Sequence, residues 1–127
     1  MQIINETKRT VLASEARTAN THLRRFVGLI GRRRLMPGHG LVIEPCRSVH
    51  TFFMRFPIDV VYVDRTFTVM KVVPSLAPYR MSGTLGPAHA VIELPKGTAA
   101  QSGTEVGDVL ALLPERPRST WPASPSP

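Results

Sequence analysis

A mainly β domain is predicted by three features of this chain. Short runs rich in Val, Ile, Phe and Thr recur from Leu41 onward. Pro45, Pro57, Pro74, Pro78 and Pro87 separate them, which denies long central strands and favours many short ones with irregular links. Ahead of them lies one helical stripe, Leu23, Phe26, Val27 and Ile30, at i, i+3, i+4, i+7. The expected architecture is an antiparallel β-sandwich or partly open barrel of short strands, at the α+β borderline, with one N-terminal amphipathic helix. At 127 residues the chain is one domain with enough interior to fold without metals or disulfides.

Each element follows from local chemistry. Ile3-Ile4 and Thr10–Ala13 read as short strands around a turn at "NETK". The helix comes next, capped by Thr18 or Asn20, whose side-chain oxygen accepts a free backbone N–H. Arg25 and Arg32 fall opposite its apolar stripe and Arg24 on the flank. Gly31 ends it, and Arg32, Arg33 and Arg34 follow where cations suit the helix dipole. "MPGHG" is a turn, and "LVIE", "SVHTFFM", "IDVVYVD", "TFTVMKVV" and "AVIEL" are strands. "SLAPYRMSGTLGPA", Ser75 to Ala88, reads as a long connection with three breakers. After Gly97 we expect one short helical turn, a stop at Gly103, a turn at "VGD" and a last strand. The globular domain is thus expected over 1–113. Residues 114–127 hold five prolines and three serines, too few apolar groups for a packed element, and are expected to be a disordered tail.

Composition narrows the setting. The one cysteine, Cys46, excludes an intramolecular disulfide. No stretch approaches the roughly 18 apolar residues of a membrane span, and the start lacks a basic segment followed by an apolar one, so a cytoplasmic location is expected. The net charge of +7 is local: residues 1–36 carry eight Lys/Arg against two Glu. Arg24, Arg25, Arg32, Arg33 and Arg34 form an anion-binding candidate suited to nucleic acid or another anionic surface, set against a plain solvated helix face. Eight aromatics without basic–aromatic interleaving argue against a sheet-type RNA binder.

The chemistry candidates concentrate in "PCRSVHTFFMRFPIDVVYVD", an apolar segment carrying Cys46, His50, Arg55 and Asp59. If "RFP" makes a tight connection, its two strands pair as a hairpin in one of two registers. Met54 opposite Ile58 sends Asp59 to the face away from His50; a one-residue slip brings both to the same face, where the carboxylate would orient the imidazole. The alternative is a histidine satisfied by backbone and an aspartate closing the turn after Pro57. Cys46 and His50 sit about 13 Å apart along one strand face, too far for a thiolate–imidazole dyad. His22, His39, His50, His89 and Cys46 lack the spacing of a zinc site, and no phosphate-loop, dinucleotide, G-x-S-x-G or H-E-x-x-H pattern occurs.

No cofactor or metal is therefore expected. The leading functional expectation is a non-enzymatic module binding a small ligand or protein through a patch of His50, Met54, Arg55, Asp59 and Glu93. Arg55 would clamp an anion, His50 and Asp59 would hydrogen-bond, and Met54 would form an adaptable wall. The alternatives are a small hydrolase or isomerase with His50 as base oriented by Asp59, or the basic-helix adaptor.

Several blocks in order resemble one family. They are Gly28, Leu29, Ile30 and Arg32; Gly40 and Leu41; His50, Thr51, Met54, Pro57, Ile58, Asp59 and Val60; and Glu93, Leu94, Pro95, Gly97, Gly107 and Asp108. Together they resemble the bacterial and archaeal family known as domain of unknown function 192, over roughly residues 8–112. The resemblance implies a compact, mainly antiparallel β-domain with one helix, sandwich-like, and implies no activity. One departure stands out: the family's Asp-x-x-Gly turn reads "DRTF" here, with Phe67 in place of glycine.

Overall fold

A three-stranded and a five-stranded sheet face each other across the main core, and a two-stranded ribbon joins the strand order of neither. This computed structural model describes residues 1–19, 35–44, 48–50, 56–84, 86 and 88–114. The strands are β1 (Gln2–Asn5), β2 (Thr10–Ala13), β3 (Glu15–Ala19), β4 (His39–Ile43), β5 (Ser48–His50), β6 (Ile58–Val63), β7 (Val69–Leu76), β8 (Met81–Gly83), β9 (Ala90–Pro95) and β10 (Leu110–Leu113). Among the described residues the α-helix is α1 (Thr98–Ser102). The sheet orders are β10-β1-β2 and β3-β4-β9-β6-β7, and the ribbon is β5-β8. Neither sheet closes into a barrel.

The chain is mainly β, as its composition demands, with one departure from an antiparallel sheet: β3 runs parallel to β4, from Glu15 against His39 to Ala19 against Ile43. "EARTA" has no apolar alternation, and of its four residues from Glu15 to Thr18 only Ala16 is buried. Pairing to β4, not propensity, selects this strand. Thr18, expected as a helix cap, therefore lies within β3. The expected helix itself, with Asn20, Leu23 and Ile30, lies outside the described residues, as do Arg24, Arg25, Arg32, Arg33 and Arg34.

β6 and β9 sit inside the five-stranded sheet, and all six residues of β6 are buried. On one face Val42, Val61, Val63, Ile92 and Leu94 meet Ile3, Leu12, Ala13 and Leu110 of the three-stranded sheet. On the other, Leu41, Ile43, Ile58, Val60, Tyr62 and Val91 pack with Leu35 and Phe56. Burying each large side chain contributes about 1.5–3 kcal/mol. A strand covered on both faces reads as a continuous apolar run, which is why "IDVVYV" lacks alternation.

Two irregularities position polar groups. The expected long loop from Ser75 is shorter than its prolines suggest, because β7 continues to Leu76 and β8 follows at Met81. β7 is the sheet edge, the place in a sheet where a proline such as Pro74 is tolerated. The register slips there, Ile58 facing Leu76 but Val60 facing Val73, and Ser75 adopts φ +51°. In the β6–β7 turn Phe67 N–H donates to Asp64 O (3.0 Å) and Phe67 sits at φ +59°. This is a type I turn closed by a left-handed residue, the conformation a glycine adopts freely. The turn type survives the loss of glycine because Asp64 Oδ1 accepts from Thr66 N–H (2.9 Å), Thr66 Oγ1 (2.7 Å) and Thr68 N–H (3.0 Å).

Candidate functional site

Asp59 answers why an aspartate stands in an apolar strand. Its Leu94 partner places it on the face toward the three-stranded sheet, and it is fully buried. Oδ1 accepts from Ser75 N–H at 2.9 Å, the amide freed by the β7 slip. Oδ2 accepts from Gly97 N–H (3.1 Å) and Ala99 N–H (2.9 Å), the first amides of α1. Gly97 at the start of α1 has φ +92° and provides no side-chain cap, so a carboxylate from a distant strand takes that place. Backbone donors thus occupy both oxygens. Asp59 joins an edge strand to a helix start.

Glu93 is also fully buried, but it faces the other way, paired with Leu41 and Val60 on the Tyr62 side. On that side Tyr62 Oη donates to Ser82 Oγ of β8 (2.8 Å) and Lys71 Nζ donates to Gly83 O (2.6 Å). The β5-β8 ribbon is therefore tied to the Glu93 side of the sheet. His50 belongs to that ribbon, its Cα opposite Met81. The expected hairpin of β5 with β6 is replaced by pairing with β8, so neither register considered for it applies within the described residues. The ribbon lies on one side of the sheet and the Asp59 carboxylate on the other. The His50 side chain, Met54, Arg55 and Cys46 lie outside the described residues. His39 Nε2 approaches Glu15 Oε2 at 3.1 Å and His89 Nε2 approaches Glu44 Oε2 at 3.0 Å, at opposite ends of β4.

A cleft of about 540 Å³ opens beside Asp59's helix, where sequence reasoning placed nothing. β2 (Thr10 to Ala13) and Ser14 form one wall, Thr98, Gln101 and Ser102 of α1 the other, and Pro37, Gly38, Pro95 and Lys96 close the ends. Its lining mixes neutral hydroxyl and amide groups with short aliphatic ones, and Lys96 is its one ionisable residue. Thr10 Oγ1 donates to Ser102 O (2.6 Å), linking the walls. No spacing signal could have found it, because its walls lie almost ninety residues apart and meet only through packing.

A second polar centre supports α1 from its far end. Asn5 Nδ2 donates to Thr104 Oγ1 (3.1 Å) and to Asp108 Oδ2 (2.9 Å), and all three residues are buried. Lys8 Nζ donates to both Asp108 oxygens (2.8 and 2.9 Å). Burial pushes the Asp108 carboxyl up, but hydrogen bonds from Lys8, Asn5 and Glu105 N–H outweigh it and hold its pKa below the ordinary value. The same contact raises the Lys8 ammonium.

The sequence and the fold both match known proteins. The family profile described as DUF192, "Uncharacterized ACR", matches residues 3–112. The chain belongs to the DUF192 family. A UPF0127 protein of Pyrococcus horikoshii is 34% identical over 112 residues, covering 84% of this chain and 94% of its own. A UPF0127 protein of Pyrococcus abyssi is 35% identical over 112 residues, covering 84% and 92%. A crystal structure of a protein of unknown function from Novosphingobium aromaticivorans superposes with a TM-score of 0.73 at 24% identity, over 87% of this chain and 82% of that one. DUF192 is an uncharacterised family, so membership supports the fold and assigns no reaction. No helix among the described residues is long and apolar enough to cross a membrane.

Proposed function

We propose that this chain is a non-catalytic binding module whose ligand site is the cleft between β2 and α1. The observation that carries the reading is the cleft's chemistry: a preformed groove of about 540 Å³ with hydroxyl, amide and one ammonium group on short apolar walls. The groups present suit a small, extended ligand bearing carbonyls or a carboxylate, its anionic end toward Lys96. Asp59 acts as a positioning residue, since it holds the helix that forms one wall.

A second reading keeps the binding patch of the sequence analysis on the other face, at the β5-β8 ribbon and Glu93, with Met54, Arg55 and the His50 side chain outside the described residues. It is favoured by the Tyr62–Ser82 bond, which ties the His50 ribbon to the Glu93 side. Two-dimensional amide NMR during a screen of small carboxylates and amides separates the two. Binders should shift Lys96, Thr98 and Gln101, and Lys96→Ala should weaken them about tenfold, the loss of one charge-assisted hydrogen bond. Shifts confined to β5, β8 and Glu93 would replace the cleft with the patch, and a screen without binders would remove both.

A further inference from the structure

The three-stranded sheet is apolar on its outer face as well as its inner one. Register turns Ile3, Ala13, Leu110 and Leu112 toward the core, and Ile4, Val11, Ala111 and Leu113 away from it. An antiparallel sheet with one solvated face ordinarily places polar residues on that face. Here Val11 is 57% exposed, Leu113 39% and Val109, just before β10, 37%. At the end of this face nearest the β1–β2 turn lies a shallow concavity of about 390 Å³. Ile4 and Val11 line it together with Glu6 and Arg9.

We propose that this face is a two-fold contact between two copies of the chain, in which Glu6 of each copy meets Arg9 of the other. Glu6 stands two residues beyond Ile4 and Arg9 two residues before Val11, so an acid and a base flank one cross-strand apolar pair. Both are exposed, and neither takes part in an ion pair among the described residues. The other cation of the turn, Lys8, is already held by Asp108 and Glu105. A surface with both signs beside one apolar centre is complementary to itself. A two-fold axis through that centre lays each Glu6 against an Arg9, giving two ion pairs around a shared apolar contact. Arg9 sits at φ +58°, a left-handed backbone that glycine or asparagine adopts at lower cost, so the cation is kept there against local preference. The edge of β2 does not serve instead, because Leu12 and Ala13 are buried and the register slips between Val11 and Ala13. The face is three strands wide and four residues long, about 14 by 13 Å. That falls below the roughly 800 Å² per partner of a stable interface, so the dimer is a weak one.

Sedimentation equilibrium of the full-length chain tests this at about 0.15 M salt, where the net charge of +7 on each copy is partly screened. The expected result is a reversible monomer–dimer equilibrium with a dissociation constant on the order of 0.1–1 mM. Glu6→Arg and Arg9→Glu should each weaken it at least tenfold, with circular dichroism unchanged, since each substitution sets like charges together twice. An equimolar mixture of the two variants should restore the dimer, because every reversed site then meets an opposite charge. Val109→Ser, which alters neither charge, should weaken it severalfold and covers the case in which a charge reversal disturbs the turn. None of these three residues borders the β2–α1 cleft, so the outcome is independent of the ligand site. A chain that stays monomeric to several millimolar overturns the proposal. So does a dimer indifferent to all three substitutions, which uses another face. Loss of the dimer in both charge variants without recovery in their mixture overturns the reciprocal pairing of Glu6 with Arg9.

Discussion

Replacing Asp59 by alanine would orphan the Ser75, Gly97 and Ala99 amides together. A buried backbone donor left without a partner costs about 1–3 kcal/mol. The Ala99 bond is fully buried and loses the full amount, while the Ser75 and Gly97 bonds are part-buried, so water recovers some of theirs. The expected loss is about 3–5 kcal/mol, a large share of the roughly 5–15 kcal/mol that holds a domain folded. Asp59→Asn keeps one acceptor and places an amide where the other stood, for an expected loss of about 2 kcal/mol. Urea unfolding followed by circular dichroism measures both. Amide exchange adds the local signature: Ser75, Gly97 and Ala99 should lose protection in Asp59→Asn before the β6 and β9 ladder does. A loss in Asp59→Ala under about 1 kcal/mol, or unchanged exchange at those three amides, would refute the assignment of Asp59 as the clasp between β7 and α1.

The remaining expectations test other parts of the same frame. Phe67→Gly should be more stable than Phe67→Ala by about 0.5–1 kcal/mol in thermal melts, since both lose the ring and only glycine relieves the left-handed backbone. Asp108, with its folded pKa below its unfolded one, adds stability that is complete above the ordinary carboxylate range and is lost as pH falls through the folded pKa. Unfolding titrations of Asp108→Asn should therefore be less stable at neutral pH and flatter toward acid. Lys8 behaves in the opposite sense, its raised pKa giving stability that is present at neutral pH and fades only in strong alkali, so Lys8→Met should flatten the alkaline limb. Tyr62→Phe should cost about 1 kcal/mol and speed amide exchange in β8 more than in β9, because its hydroxyl ties the ribbon to the sheet.

Much of the frame was legible along the chain. Val, Ile and Phe runs marked β4, β6, β7 and β9, and the glycines bracketing "TAAQS" marked α1, where Gly97 and Gly103 both take positive φ. Phe67 in a glycine's place was legible as an anomaly, and its φ of +59° shows that the turn was kept and strain accepted. β3 was illegible, since "EARTA" has the pattern of no element and is a strand only because β4 lies beside it.

The candidate site divides the same way. That Asp59 and Glu93 are polar groups in apolar strands can be read from the residues, because burial of a continuous aliphatic run carries its polar members inside with it. Which face each takes was decided by the β6–β9 pairing, Asp59 toward Leu94 and Glu93 toward Val60. Adjacent residues of a strand point opposite ways, so partners one position apart send these two carboxylates to opposite sides of the sheet. The pairing of β5 with β8 and the meeting of Thr10 with Ser102 likewise belong to tertiary structure. Local propensity and hydrophobic period are properties of neighbouring residues, and they determined β4, β6, β7 and β9, the turns and the helical stop. Contacts between residues many tens of positions apart depend on how sheets pack, and they decided the cleft, the clasp and the side of the sheet on which each acidic residue sits.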